Sequence, residues 1–191
     1  MTRFFMLYQD TADWLEIRTT GLLPLLARLT FAATLLVYFW SSARTKLGDG
    51  LFGLIIPSDG AYAQIFPRQL EAAGYDISQL GILHWAVTVA GTWAEFLLPL
   101  LVVLGLATRL AALGMIGFVT VQSLTDLYGH GAIAHDETVG ALFDRMPDAM
   151  ILDQRLLWMF LMVTLVLKGG GWLALDRGLS RLATPRQSPA L

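Results

Sequence analysis

The 191 residues contain no cysteine. That excludes disulfides, thiolate metal sites, cysteine-held iron–sulfur clusters and a thiol–disulfide relay within the chain. Charge is also scarce, at 15% of residues, against about 25% in an average soluble domain. There is no basic run and the net charge is −2, so a nucleic-acid partner is not expected. The sequence has no phosphate-binding glycine loop, no nucleophile elbow and no paired-histidine metalloprotease helix. Residues 1–18 do not read as a secretory signal. They carry Asp10, Asp13 and Glu16, and their apolar part, residues 4–8, is too short.

Apolar residues are abundant, at 55% of the chain, and mean hydropathy is +0.60. One soluble core of this size cannot hide so much apolar surface, so the chain reads as an integral membrane protein of one domain. Four apolar runs of spanning length lie at about 22–42, 83–106, 109–128 and 156–173. Pro24 falls in the first turn of the first run, where a missing N–H costs nothing. Tyr38, Phe39 and Trp40 near its other end suit an aromatic belt. The second and third runs are separated only by the break around Gly105 and Thr108, which makes them an antiparallel hairpin. Small residues on both (Ala86, Ala90, Gly91 and Ala94; Ala111, Ala112, Gly114 and Gly117) fit close helix approach.

The expected fold is all-α: a polytopic four-helix transmembrane bundle, with interfacial segments in a long first outer loop. Residues 21–176 form the membrane domain. Residues 1–20 precede it, with residues 4–18 read either as an interfacial helix or as a frayed terminus. A polar tail over 177–191 follows, disordered from about Thr184. In the first loop, residues 51–56 and 61–73 are apolar but too short to span. They read as re-entrant or interfacial pieces packed on the bundle, burying Leu51, Phe52, Ile55, Ile56, Tyr62, Ile65 and Phe66. Four spans put both termini on one side. Arg3, Arg18, Arg109, Lys168, Arg177, Arg181 and Arg186 lie there, which favours a cytoplasmic location for that side, although Arg44 and Lys46 on the other side oppose it.

Glu95 lies deep in the second run, where a carboxylate is costly and marks a functional-site hypothesis. His84, Thr88, Gly91 and Glu95 share one helical face. Counted at about 1.5 Å per residue from the cytoplasmic ends, Glu95 lies roughly 16 Å deep, Thr34 roughly 18 Å and Gln122 roughly 20 Å, so the three can meet inside the bundle. Arg28 is shallower by roughly 7 Å and can reach up to pair with Glu95. Glu95 then has two readings, a working ligand or proton site and a structural carboxylate that fixes span packing. His84, His130 and His135, near Asp126, Asp136 and Glu137, form a candidate metal site of the zinc or copper type. The alternative is solvated loop histidines.

Three features carry a family resemblance: a first span with Arg28 early and Lys46 at its end, the stretch AEFLLPLLVVLGLATRLAALGMIGF over 94–118, and Leu175-Asp176 after the last span. Together they resemble the DoxX family of small four-helix bacterial inner-membrane proteins. The sequence departs from the family pattern at Trp40-Ser41-Ser42, where a glycine or His-Gly pair is frequent. The resemblance implies a redox, quinone or oxidative-stress role, as in a small subunit linked to thiosulfate:quinone oxidation. On that implication Glu95 and Arg28, with Gln122, Thr34 and Thr88, bind a quinone-like or lipid-like ligand in an accessory subunit that is not an enzyme on its own. Its partners are the bilayer and a redox protein. The competing expectation is an anchor or scaffold for an extracytoplasmic partner, with metal handled by the three histidines.

Overall fold

The computed structural model describes residues 2–183, so the disorder expected from Thr184 lies outside the described residues. Four helices are long and apolar enough to cross a bilayer: Leu22–Lys46, Ile82–Leu104, Thr108–Gly129 and Met150–Lys168. Among the described residues there is no strand, only an isolated bridge between Leu47 and Pro57. The first span packs on the second and the fourth, and the third packs on the same two, so the four close into a ring. Phe31, Leu35, Phe39, Met115, Val119, Met162 and Leu165 are buried along its axis.

Two span boundaries differ from those read in the sequence. The first helix runs on to Lys46, and the fourth begins at Met150 and ends at Lys168. Lys46 and Arg155, which fall outside the apolar runs at 22–42 and 156–173, are drawn into the bundle by Glu95 and Asp126, and this extends the end of the first span and the start of the fourth. The fourth helix stops where Gly169 and Gly171 take positive φ, which a glycine tolerates without strain.

The side of the bundle carrying the turn between the second and third spans is held by side chains that bond main chain. Arg28, buried, donates from Nε to Val102 O (3.0 Å), from Nη1 to Gly170 O (2.9 Å) and from Nη2 to Val103 O. Val102 and Val103 lie in the last turn of the second span, where carbonyls run out of intrahelical donors, and Gly170 lies in the glycine turn after the fourth; Val102 O also accepts from the Gly105 N–H (3.1 Å). Asp176 accepts from the N–H groups of Ala107 (2.6 Å) and Thr108 (2.8 Å) and from the Thr108 hydroxyl (2.7 Å), capping the third span. Gly105 closes the second span at φ +69. A Cβ there would lie 2.7 Å from Arg28 Cζ and 2.8 Å from Ala174, so the turn requires glycine for conformation and for space.

On the opposite, loop face, the first connection forms a short 3-10 turn over Leu51–Leu54 and two helices, Asp59–Ile65 and Pro67–Ala72, broken at Pro67. Trp85 Nε1 donates to Ile55 O (2.8 Å) and Trp93 Nε1 to Leu54 O (3.1 Å), so the turn is pinned to the flank of the second span. Tyr62 is buried, but Leu51, Phe52, Ile55 and Ile56 point outward. They were expected to pack on the bundle. Instead the carbonyls of Leu54 and Ile55 face the helix and the side chains project away from it. A helix over Thr2–Thr19 precedes the first span, and a second, Leu175–Ala183, follows the fourth. In the latter, Leu175 and Leu179 fall on one face and Arg177 and Arg181 on the other.

Candidate functional site

The second and third spans are tight at their turn and part toward the loop face. Ala111 and Ala112 are buried at the tight end. A Cβ on Gly114 would come 2.9 Å from Leu98, whereas one on Gly117 would meet nothing within 4 Å. The small residues therefore do two jobs. Near the turn they permit close packing, as expected, but Ala90, Gly91, Ala94 and Gly117 instead line open space.

That space is a cavity of about 620 Å³, bounded by the second and third spans, the loop-side end of the first and the start of the fourth. Its walls are apolar, with Val87, Leu98, Phe118 and Val121 beside the small residues. Val87 and Val121 are 50% and 63% exposed, so the cavity is flanked by surface that faces the bilayer.

At the cavity floor lies Glu95, only 4% exposed. Both carboxylate oxygens stand 3.0 Å from Lys46 Nζ, and Ser42 Oγ donates to Oε1 at 3.3 Å. Lys46 is also buried and bonds Ser42 Oγ (2.7 Å) and Ser42 O (3.3 Å). The expected partner, Arg28, is elsewhere. It lies at the turn face, where the carbonyls of Val102 and Val103 and the negative end of the second helix hold it. Lys46, 49 residues before Glu95, supplies the charge instead.

Gln122 lines the cavity as expected from its depth. Its Nε2 donates to Tyr38 Oη (3.0 Å), while its Oε1 is buried without a partner. Thr34 and Thr88 are not among the lining residues. Thr34 donates to Thr30 O and Thr88 to His84 O, each satisfied on its own helix.

A second ion pair was not foreseen. Arg155, 3% exposed, donates to Asp126 Oδ2 and to Ser123 Oγ (3.0 Å), and its Nε is buried without a partner. Asp126 and Arg155 both line the cavity at its loop-face end, and both sit on π-helical turns, Thr125–Gly129 and Met150–Arg155. Such turns recur at functional sites. The signal was present in the sequence: Asp126 closes the third apolar run and Arg155 opens the fourth. Hydropathy counts each as a boundary, because it sees charges singly.

Counted from the turn at about 1.5 Å per residue, Glu95 lies roughly 14 Å up the bundle, Gln122 roughly 21 Å and Asp126 roughly 27 Å. The cavity is thus a polar ladder within apolar walls, and its two cations and two carboxylates cancel.

The histidines do not converge, which corrects the expected metal site. The His84 ring packs edge-on against Phe66 at 4.8 Å. His130 Nε2 lies 3.0 Å from Gln64 O at the cavity margin. His135 is exposed, with Glu137 at 3.6 Å. Each is fastened to its own local neighbour. Among the described residues no group of three His, Cys, Asp or Glu side chains is placed to hold an ion.

Among the curated proteins and among solved structures, nothing matches the chain. A family model does: DoxX, over residues 23–125. The matched region takes in the first three spans, Arg28, the Glu95–Lys46 pair and Gln122, and it exceeds half of the 191 residues. With four spans in a closed bundle, the chain belongs to the DoxX family.

Proposed function

We propose that this membrane protein takes up a quinone-like or lipid-like amphiphile from the bilayer into the cavity between its second and third spans, and acts as an accessory subunit in a membrane redox process. The observation that carries the reading is the cavity. Its volume of about 620 Å³ lies within the roughly 300–1,000 Å³ typical of small-molecule sites. Its walls suit a ring and an apolar tail, and its polar groups converge from all four spans. The flanking exposed side chains, Val87 and Val121, give a lateral route that avoids water. With no cysteine in the chain, electrons reside on the ligand or on a partner protein.

The same reading places the protein in the bacterial inner membrane with both termini cytoplasmic. Lys46 and Arg155 are neutralised inside the bundle, which leaves Arg44, Arg68 and Arg145 as the basic residues of the loop face. That supports a cytoplasmic turn face by loop charge.

Filling the cavity tests the proposal. Gly117→Leu projects into open space, and replacing a mid-helix glycine favours the helix by about 1 kcal/mol. The purified wild-type protein should show a higher melting temperature with a short-chain benzoquinone or with bilayer lipid, by mass action. Gly117→Leu should keep or raise the ligand-free melting temperature and lose the ligand-dependent rise. A wild-type protein that retains no amphiphile in native mass spectrometry and responds to none would overturn the reading.

A further inference from the structure

The polar groups of the cavity are not equivalent. At the floor, the Glu95–Lys46 pair is closed on itself. Both carboxylate oxygens and the ammonium are engaged, and Ser42 completes the set. The unused hydrogen-bonding capacity lies higher. Arg155 is 97% buried by its 3% exposure, yet its Nε–H has no acceptor, and Gln122 Oε1 has no donor. A buried polar atom without a partner is costly, and a ligand atom that pairs with it removes that cost.

We propose that Arg155 and Gln122, rather than Glu95, hold the head group of the amphiphile, and that this head group is uncharged and presents a carbonyl oxygen to Arg155. The proposal rests on the amphiphile reading above and narrows it.

Charge argues for a neutral head. Asp126 already neutralises Arg155, so a phosphate would bring its negative charge beside Asp126 with no free cation to meet it. The Arg155 Nε–H is covered in the ligand-free structure, so a small shift of the guanidinium brings it to the cavity; a carbonyl then accepts from it and adds no charge to a cavity whose two carboxylates and two cations cancel.

Depth argues for the upper pole. Gln122 and Asp126 lie roughly 21 and 27 Å from the turn, in a hydrocarbon layer about 30 Å thick. That is close to the loop-face interface, where bilayer amphiphiles already hold their head groups. Glu95, roughly 14 Å up, is near the midplane. An amphiphile sliding in past Val87 and Val121 keeps its head at its own depth and lays its tail along Ala90, Ala94 and Gly117. Reaching Glu95 instead would drag a polar head toward the midplane, to a pair that needs no partner.

Two sources offer a neutral carbonyl on an apolar tail: a quinone ring and the ester of an uncharged glycerolipid. The purified full-length protein is titrated with a short-chain benzoquinone, with a diacylglycerol and with phosphatidylglycerol, and affinity is read from the ligand-dependent melting temperature. The benzoquinone or the diacylglycerol should bind, and whichever does names the source. Arg155→Lys keeps a cation for Asp126 but lacks Nε–H, and should weaken binding by on the order of tenfold. Arg109→Lys, at the turn face where Arg109 donates to Val166 O, should leave binding unchanged.

A second measurement does not depend on any variant folding. An azido-benzoquinone photolysed on wild-type protein should label peptides containing Gln122 and Met150, which borders Arg155. Labelling confined to the peptide around Glu95, Arg155→Lys binding as wild type does, or phosphatidylglycerol binding in preference to both neutral ligands would overturn this proposal and leave the amphiphile reading standing. A wild-type protein that binds none of the three overturns both.

Discussion

At the turn face, charged side chains spend their hydrogen bonds on main chain. Arg28 takes the carbonyls of Val102, Val103 and Gly170, and Asp176 takes the amides of Ala107 and Thr108. From the midplane up to the loop face, charged side chains pair mainly with one another, as Glu95–Lys46 and Asp126–Arg155. The first kind of contact fixes helix ends, and around it Val102, Ala111, Ala112 and Leu165 are buried solidly. The second neutralises charge without filling volume, and around it the spans part. One set of four helices therefore has an end that holds and an end that can host a ligand.

The largest effect expected on that contrast is at Lys46. Lys46→Met strands the Glu95 carboxylate in apolar surroundings, and breaking a buried pair in this way costs roughly 3–5 kcal/mol. Adding Glu95→Leu should recover most of the loss, because the pair is then replaced by apolar side chains. Thermal unfolding in detergent measures both. Equal destabilisation in the single and double variants would mean that the loop-face pair is not self-contained, and the contrast would fail.

Arg28→Met comes next. Three carbonyls lose the guanidinium and two of them, Val103 O and Gly170 O, lose the donor the structure shows for them, at a cost of roughly 2–3 kcal/mol, given about 1–3 kcal/mol for a stranded buried group. Here no second substitution restores stability, because the partners are main chain. Quinone affinity should not move, since Arg28 does not line the cavity. A side-chain deletion that rescued Arg28→Met would erase the distinction between the two ends.

The sequence made the spans and the DoxX resemblance legible, because twenty apolar residues and a five-residue break leave few alternatives. Depth was legible in part: Gln122 shares the cavity with Glu95, but Thr34, counted to the same level, does not line it. Partnership was not. Arg28 counts as only roughly 7 Å shallower than Glu95, yet it is claimed by carbonyls that no residue pattern reveals. Lys46 and Arg155 fall outside the apolar runs because hydropathy charges each ion its full cost and cannot see Glu95 or Asp126 across the fold. Gly114 and Gly117 are one turn apart and identical in sequence terms, and both border the cavity, but a Cβ at the first would meet Leu98 and one at the second would meet nothing. Helix divergence decides between them, and it is a property of the bundle.

The smallest expected effect is at Asp176. Burial pushes its carboxyl upward, but hydrogen bonds from the Thr108 N–H and hydroxyl and the Ala107 N–H, with the Arg28 charge nearby, outweigh that and hold it below the usual carboxylate range. A carboxyl whose pKa is lower in the folded state stabilises the fold above its unfolded pKa, so the contribution is complete at neutral pH. It fades as pH falls through the ordinary carboxylate range toward the folded value. Asp176→Asn keeps a capping oxygen but loses the charge, and should cost about 1 kcal/mol at pH 7. It should also flatten the acid limb of the stability–pH curve, whereas Lys46→Met, with Asp176 intact, should keep that sensitivity. Amide exchange at Ala107 and Thr108 gives the local readout, and it should quicken in Asp176→Asn and on acidification of wild type. An acid limb unchanged by Asp176→Asn would show that the turn face is held by shape and main-chain bonding without its charged cap, with Arg28 and Arg109 still tied to main-chain carbonyls there.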